Sequence, residues 1–255
     1  MAGKCEGFNA QYHLQLASLL THCFWFRGRS KLVLWALEEF FPAARSFLEV
    51  GCGTGDVLAT LAGSRPELAL VGGDMHVEAL RLASPRVDRA VFIQVDARSL
   101  PYQEEFDVLG AFDVLEHVDK DQVALGEFFR SARRGGGIIV TVPQHPTLWS
   151  RWDEFSAHQR RYTRQALIRR VEAAGFRVRW MTSFMTLLFP ALLASRVALA
   201  LRATPTASSD LFPMLRLPRF LDRYFERICD LEKQLLTKRV SLPLGGSLLC
   251  VGVKP

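Results

Sequence analysis

The feature that most constrains this chain is the segment 47–55, FLEVGCGTG, in which an apolar run ends in three glycines at alternate positions. Glycine allows a sharp turn and lets a ligand touch the main chain without a Cβ in the way. The apolar run predicts a strand and the residues after it predict a helix, so the loop lies where open α/β sheets bind ligands. We therefore predict a ligand site on Gly51, Cys52, Gly53 and Gly55.

The rest of the chain alternates short apolar runs with helical patterns, and 255 residues that are 49% hydrophobic suffice for a large buried core. This alternation favours right-handed crossovers and a parallel sheet. Strands are predicted at 46–50, 68–72, 91–95, 106–112, 138–142, 176–182 and 246–253. The predicted fold class is therefore α/β, with a Rossmann-like, doubly wound sheet of seven mostly parallel strands.

The pattern along the chain predicts a single domain that spans 1–255. Its parts are a helical cap at 1–44, a core at 45–183, a helical insertion at 184–243 and a final strand at 244–255. The cap is predicted to contain two helices that break at 24–28. The insertion repeats apolar residues at helical spacing between 221 and 235, so we expect a helix there.

Three acidic residues follow the predicted strands. Glu49 stands in the first strand just before the glycines, Asp74 ends the second strand, and Asp96 ends the third. A dinucleotide loop reads Gly-x-Gly-x-x-Gly and seats a pyrophosphate, whereas this loop reads Gly-x-Gly-x-Gly and follows a carboxylate that suits a cationic ligand. Together the acids outline a nucleoside pocket, in which Asp74 could accept from both ribose hydroxyls and Asp96 could reach an adenine amino group. For Asp96, capping of the turn before Pro101 is the alternative.

These residues resemble the motifs of the class I S-adenosylmethionine-dependent methyltransferases. The resemblance covers roughly 45–183 and resumes at the last strand. It implies S-adenosylmethionine as the cofactor, with the glycine loop around the methionine portion and acids around the nucleoside. The residues that it assigns to the cofactor are Glu49, Gly51, Cys52, Gly53, Gly55, Asp74, Met75, Asp96, Ala97, Phe112 and Asp113.

Candidate catalytic residues follow the fourth and fifth strands. Asp113-x-x-Glu116-His117 resembles the Glu-x-x-Glu-His segment of ubiquinone-pathway O-methyltransferases, in which these side chains are associated with a divalent metal. Here the shorter Asp stands first, and we assign no metal. We predict that His117, Glu116 and His145 take part in proton transfer. The alternative is that Glu116 and His117 only form the first turn of the next helix.

The segment 143–162 is dense in Trp, His and Arg, which is unusual for a mere connection. We predict that it covers the methyl acceptor. The residues assigned to the acceptor pocket are Trp149, Trp152, His158, Arg161 and Tyr162. Simple packing or surface exposure is the alternative for each of them.

The net charge of +6 is concentrated locally, because nine arginines and one acid lie between Arg160 and Arg202. An apolar stretch adjoins them at 184–194 and is too short to cross a bilayer. The pairing suits a peripheral membrane contact through 184–202, a pocket for a greasy acceptor, or a helix buried against the sheet. We therefore expect a small-molecule or lipid-like acceptor, hydrophobic or amphiphilic.

Two other functions remain open. The positive charge would suit a nucleic-acid methyltransferase, but the Asn/Asp-Pro-Pro-aromatic segment of such amino-methylating enzymes is absent, so nucleic acid is not favoured. A non-catalytic subunit that binds the cofactor is the second alternative. Five scattered cysteines indicate a cytoplasmic protein without disulfides, which could lie at the inner membrane face.

Overall fold

The computed structural model describes residue 17 and residues 23–194 and 217–255. The strands are β1 (Ser46–Val50), β2 (Ala69–Asp74), β3 (Val91–Gln94), β4 (Phe106–Phe112), β5 (Ala132–Pro143), β6 (Arg177–Phe184) and β7 (Ser247–Val253). The main α-helices of the described residues are α1 (Phe24–Phe40), α2 (Asp56–Ser64), α3 (Val77–Ala83), α4 (Asp121–Ser131), α5 (Arg151–Phe155), α6 (Arg164–Ala173) and α7 (Arg219–Leu236). Residues 189–194 are also helical.

The seven strands form one sheet in the order β3-β2-β1-β4-β5-β7-β6. The first five strands along the chain pair in parallel, and β7 lies antiparallel between β5 and β6. The predicted mostly parallel, Rossmann-like sheet is confirmed. From β1 the chain adds β2 and β3 on one side of the sheet and then returns to add β4 on the other side. The carboxyl ends of the neighbouring strands β1 and β4 therefore lie at the switch point where such folds bind ligands.

Alternate residues of β1 face the two layers of helices. Phe47 packs with α1 and α2 on one side of the sheet, and Leu48 packs with α4 and α6 on the other. Both side chains are fully buried, as expected for a central strand covered on both faces.

Helix α1 corrects one sequence-based boundary. The predicted break at 24–28 is wrong, because a single helix begins at Phe24 and continues through Gly28. A Cβ on Gly28 would lie 3.2 Å from the Cβ of Cys229, so the glycine permits close approach of α7. The aromatic residues before it pack against neighbouring elements; the Phe24 and Phe225 rings, for example, meet edge to face at 5.2 Å.

The apolar stretch predicted to contact a membrane lies partly outside the described residues. Up to residue 194, Met185 and Leu188 are buried while Leu187 and Leu193 are exposed; 195–202 belong to the undescribed part. Within 23–194 and 217–255, no helix combines the length and apolar character needed to cross a membrane.

Candidate active site

The glycine loop between β1 and α2 turns through backbone conformations that favour glycine. The φ angles of Gly51, Gly53 and Gly55 are 73°, 53° and 80°. A Cβ on Gly51 would stand 2.5 Å from the Val114 side chain, whereas no heavy atom of the described chain lies within 4 Å of the corresponding point at Gly53. The loop is therefore packed against the end of β4 on one side and presents bare backbone on another.

Glu49 lies beneath this loop and is only 3% exposed. Its Oε2 has no hydrogen-bond partner among the described residues. Burial raises the pKa of the Glu49 carboxyl well above its usual range, although the nearby Arg29 opposes the shift. A buried carboxyl with an unused oxygen is costly unless a ligand satisfies it, and a cationic ligand would do so best.

Asp74 ends β2 and anchors the loop. Its Oδ2 accepts from the Gly53 amide and its Oδ1 from the His76 amide, each at 2.8 Å. Burial alone would raise the pKa of Asp74, but these bonds and the His76 ring hold it below the usual range. The neighbouring Met75 side chain is exposed. A carboxylate oxygen can accept more than one hydrogen bond, so contact with a ribose stays a prediction.

Asp96, predicted to reach an adenine, is held by another protein side chain. The Arg98 guanidinium binds both of its carboxylate oxygens and also contacts Asp119. These bonds with Arg98 hold the pKa of Asp96 below its usual range. Asp96 also bridges to Ser99, as expected of a residue that fixes a turn. A role for Asp96 and Ala97 at an adenine stays a prediction.

Arg29 is a site residue that the sequence analysis missed. It projects from α1, is 8% exposed, and donates through Nη1 to Asp113 Oδ2 at 2.5 Å. Asp113 follows Phe112 at the end of β4, has φ 57°, and accepts from Thr141 on β5 at 3.1 Å. No local motif marks Arg29, because an arginine in a helix is ordinarily exposed. Only packing of α1 over the loop brings it here.

Glu116, His117 and His158 lie together beside the end of β4, and a ligand atom of each lies within 4.8 Å of the other two. The rings of His117 and His158 meet edge to face at 4.7 Å. Burial and the charge of Asp113 raise the pKa of Glu116 well above its usual range. Burial and the neighbouring His158 lower the pKa of His117 to about 4.

The segment 143–162 folds back over this cluster and is partly ordered by a short helix. Ser150 and Asp153 form a capping box at the start of α5. The Gln159 amide donates to the Glu116 carbonyl at 2.7 Å, which joins the segment to the end of β4. Trp149 is 40% exposed, and Trp152 packs against Phe155 with ring centroids 5.9 Å apart.

Two predicted acceptor-pocket residues have structural partners instead. Tyr162 is 2% exposed, and its hydroxyl donates to Asp121 at 2.7 Å. Arg161 is buried and donates to Asp153 at 2.7 Å and to the Gln144 carbonyl at 3.0 Å. These bonds pair the buried polar groups of both side chains and hold the segment in position, and contact of either residue with an acceptor stays a prediction.

His145 lies near the start of the segment 143–162, has φ 63°, and stands beside Phe189 with ring centroids 5.5 Å apart. Burial and the charge of Arg161 lower the pKa of His145. It is separate from the cluster of Glu116, His117 and His158.

Comparisons with known proteins agree with this geometry. A family model described as a methyltransferase domain matches residues 16–179. A demethylmenaquinone methyltransferase of Roseiflexus castenholzii is 35% identical over 113 residues, which are 42% of this chain and 48% of that protein. A ubiquinone/menaquinone biosynthesis C-methyltransferase of Syntrophotalea carbinolica is 32% identical over 130 residues, covering 48% and 54%. The chain thus spans about half the length of these curated relatives.

A solved structure shows the same fold. Phosphoethanolamine N-methyltransferase 2 of Haemonchus contortus, in complex with S-adenosyl-L-methionine, superposes with a TM-score of 0.64 at 15% identity. The match covers 98% of this chain and 58% of that one, and at such identity it bears on the fold alone. The family model covers well over half of the chain and carries the assignment. The protein belongs to the class I S-adenosylmethionine-dependent methyltransferases.

Proposed function

We propose that this chain transfers the methyl group of S-adenosylmethionine to a small hydrophobic or amphiphilic acceptor. The observation that carries the proposal is the buried Glu49 oxygen, which has no hydrogen-bond partner in the described part of the chain and lies beneath a loop of bare glycine backbone. An ammonium or sulfonium-bearing ligand would satisfy that carboxylate, and a pyrophosphate would not.

The residues present fit the cofactor. Glu49 would meet its ammonium group, the exposed backbone around Gly53 would approach its methionine portion, and Asp74 would accept from its ribose. When bound, the cofactor supplies an electrophilic methyl group on a sulfonium. The chain's own contribution is to align an acceptor with that methyl group and to exclude water from the site.

The acceptor side is proposed to lie at Glu116, His117 and His145. Burial raises the pKa of Glu116 and lowers the pKa of His117 to about 4, and low solvent exposure of both groups suits an apolar acceptor. The imidazole of His145 or of His117 would accept the proton that a hydroxyl or amine acceptor loses. Trp149 would supply apolar surface at the edge of the site.

The arginine-rich stretch offers little support for a nucleic-acid substrate. Arg160, Arg161, Arg164 and Arg170 all bind carbonyl or carboxylate groups within the protein. Guanidinium groups that bind groups of the protein itself hold α6 and the segment 143–162 in position, and they are less available to the phosphates of a nucleic acid. The two relatives described above are named as methyltransferases of menaquinone and ubiquinone biosynthesis, and this similarity supports a lipophilic acceptor instead.

A lipid-like acceptor would be met near a membrane surface. Leu187 and Leu193 are exposed within the apolar stretch, and Phe189 of that stretch lies beside His145. The two exposed leucines support our proposal that 184–202 makes a peripheral membrane contact. The contact between Phe189 and His145 connects that stretch with the acceptor side.

Methyl-labelled S-adenosylmethionine tests the proposed function. The protein is incubated with a lipid extract, with total RNA or with DNA, and the labelled product is identified by mass spectrometry. We expect label in an apolar, extractable molecule. Label in nucleic acid would replace the proposed acceptor class, while tight cofactor binding without transfer to any fraction would favour the non-catalytic subunit.

A further inference from the structure

The cluster of Glu116, His117 and His158 contains an unusual unsatisfied group. Glu116 is 1% exposed, and neither of its carboxylate oxygens has a hydrogen-bond partner among the described residues. Buried carboxyl groups are nearly always paired, and such an exception calls for a water molecule or an ion at the site. A nitrogen atom of His117 and one of His158 lie within 4.8 Å of a carboxylate oxygen of Glu116 and of each other.

His158 is held in the orientation that metal-binding histidines adopt. Its Nδ1 lies 2.9 Å from Oδ1 of Asp153, which is fully buried and also accepts from Arg161. The other Asp153 oxygen accepts from the Ser150 amide and hydroxyl. Asp153 is thereby fixed as a hydrogen-bond acceptor for Nδ1 of His158, which leaves Nε2 as the ring atom that can face a metal ion. A carboxylate behind a histidine is the usual outer partner of a metal ligand.

We propose that Glu116, His117 and His158 bind a divalent transition-metal ion that holds an oxygen atom of the methyl acceptor. Two imidazoles and one carboxylate suit a first-row ion such as Zn²⁺, Mn²⁺ or Co²⁺. Ligand atoms that lie about 2.1 Å from one ion are roughly 3 to 4 Å from each other. The ligand atoms of this cluster lie within 4.8 Å of one another, so side-chain rotations that bring them about 1 Å closer would complete the site.

The three proposed ligands are not the three residues of the sequence motif Asp113-x-x-Glu116-His117. Asp113, which begins that motif, is bound by Arg29 and Thr141 and is therefore committed elsewhere. The third ligand comes instead from His158, on the segment that covers the acceptor side. Formation of the site thus requires that segment to be folded over β4.

The inference rests on the proposed methyl transfer and deepens it. An ion bound here would lower the pKa of a coordinated hydroxyl group and hold its oxygen in place. The hydroxyl proton would pass to a base or to solvent, and the oxygen would keep its electron pair, activating either itself or a conjugated carbon as the nucleophile. Asp153 would act as a positioning residue through His158.

Cobalt(II) ion alone is a suitable probe, because its visible d–d absorption reports ligand binding. Full-length protein is stripped with a chelator and titrated with Co²⁺, and cofactor affinity is measured on every sample. We expect saturable binding of one ion in the wild type, with loss of the spectrum in Glu116→Gln and His158→Gln. Asp153→Asn should weaken Co²⁺ binding by about ten- to a hundredfold.

His145→Gln serves as the matched histidine control and should keep the Co²⁺ spectrum, since His145 lies outside the cluster. The proposal is overturned if the wild type binds the cofactor but shows no saturable Co²⁺ spectrum, or if Glu116→Gln and His158→Gln bind Co²⁺ as the wild type does. Methyl transfer that survives complete metal removal would retain the proposed function and reject the role of the ion. Absence of cofactor binding would instead count against the proposed function.

Discussion

Arg29 and Asp113 form an ion pair between the first described helix and the end of the fourth strand. Nη1 of Arg29 lies 2.5 Å from Oδ2 of Asp113, and their side chains are 10% and 24% exposed. Arg29 also interacts electrostatically with Glu49 beneath the glycine loop. The pair therefore joins α1 to both the cofactor side and the acceptor side of the site.

Arg29→Met should destabilise the protein, because it leaves the Asp113 carboxylate without its main partner in a largely buried setting. We expect the free energy of unfolding to fall by about 3 kcal/mol, measured by urea denaturation. Arg133→Met is the control, since Arg133 pairs with Asp107 at the surface and its side chain is 50% exposed. That change should cost less than about 1 kcal/mol. Equal losses in the two variants would contradict the importance of the buried pair.

Cofactor binding should release a proton from Glu49. Because burial raises the pKa of the free carboxyl and an ammonium group would lower it again, affinity should rise with pH between those two pKa values. Calorimetry with S-adenosylhomocysteine in buffers of different ionisation enthalpy measures the proton count. Glu49→Gln should abolish the release, and Glu67→Gln should retain it. Unchanged proton release in Glu49→Gln would remove this carboxyl from the ammonium site.

Asp74→Ala should weaken cofactor binding by about tenfold or more, since it removes charge-assisted hydrogen bonds to the loop and the proposed bonds to the ribose. Titration with S-adenosylhomocysteine and with its 2′-deoxy analogue separates these two effects. The wild type should prefer the ribose form, and the variant should lose most of that preference. Asp88→Ala changes an exposed carboxylate and should leave both affinities unaltered. Persistence of the preference in Asp74→Ala would exclude the ribose contact.

His145→Gln should lower kcat by about a hundredfold if His145 accepts the acceptor's proton, while the Kd of the cofactor stays within about twofold. Single-turnover methyl transfer and calorimetry provide the two values. Arg151→Gln alters an exposed residue of the same segment and serves as the control. Full turnover in His145→Gln would assign proton removal to another group.

Local sequence patterns were sufficient for much of the architecture. The seven predicted strands are confirmed, because buried strands are short apolar runs that neighbouring residues alone reveal. The break at 24–28 was wrongly predicted because Gly28 was interpreted as a local signal. A glycine is needed at position 28 because α7, which is more than 190 residues away along the chain, packs closely against it.

The sequence by itself determined the sheet, the glycine loop and the positions of Glu49 and Asp74, since all of these depend on residues close together along the chain. Tertiary structure alone decided that Arg29 enters the site, that Arg161 and Tyr162 pack inside, and that His158 meets Glu116. The physical reason is that burial and pairing of charged groups depend on which distant segments share a desolvated space. The residues that pair in this way have no characteristic spacing in the sequence, because the packing of a helix or the folding back of a loop brings them together.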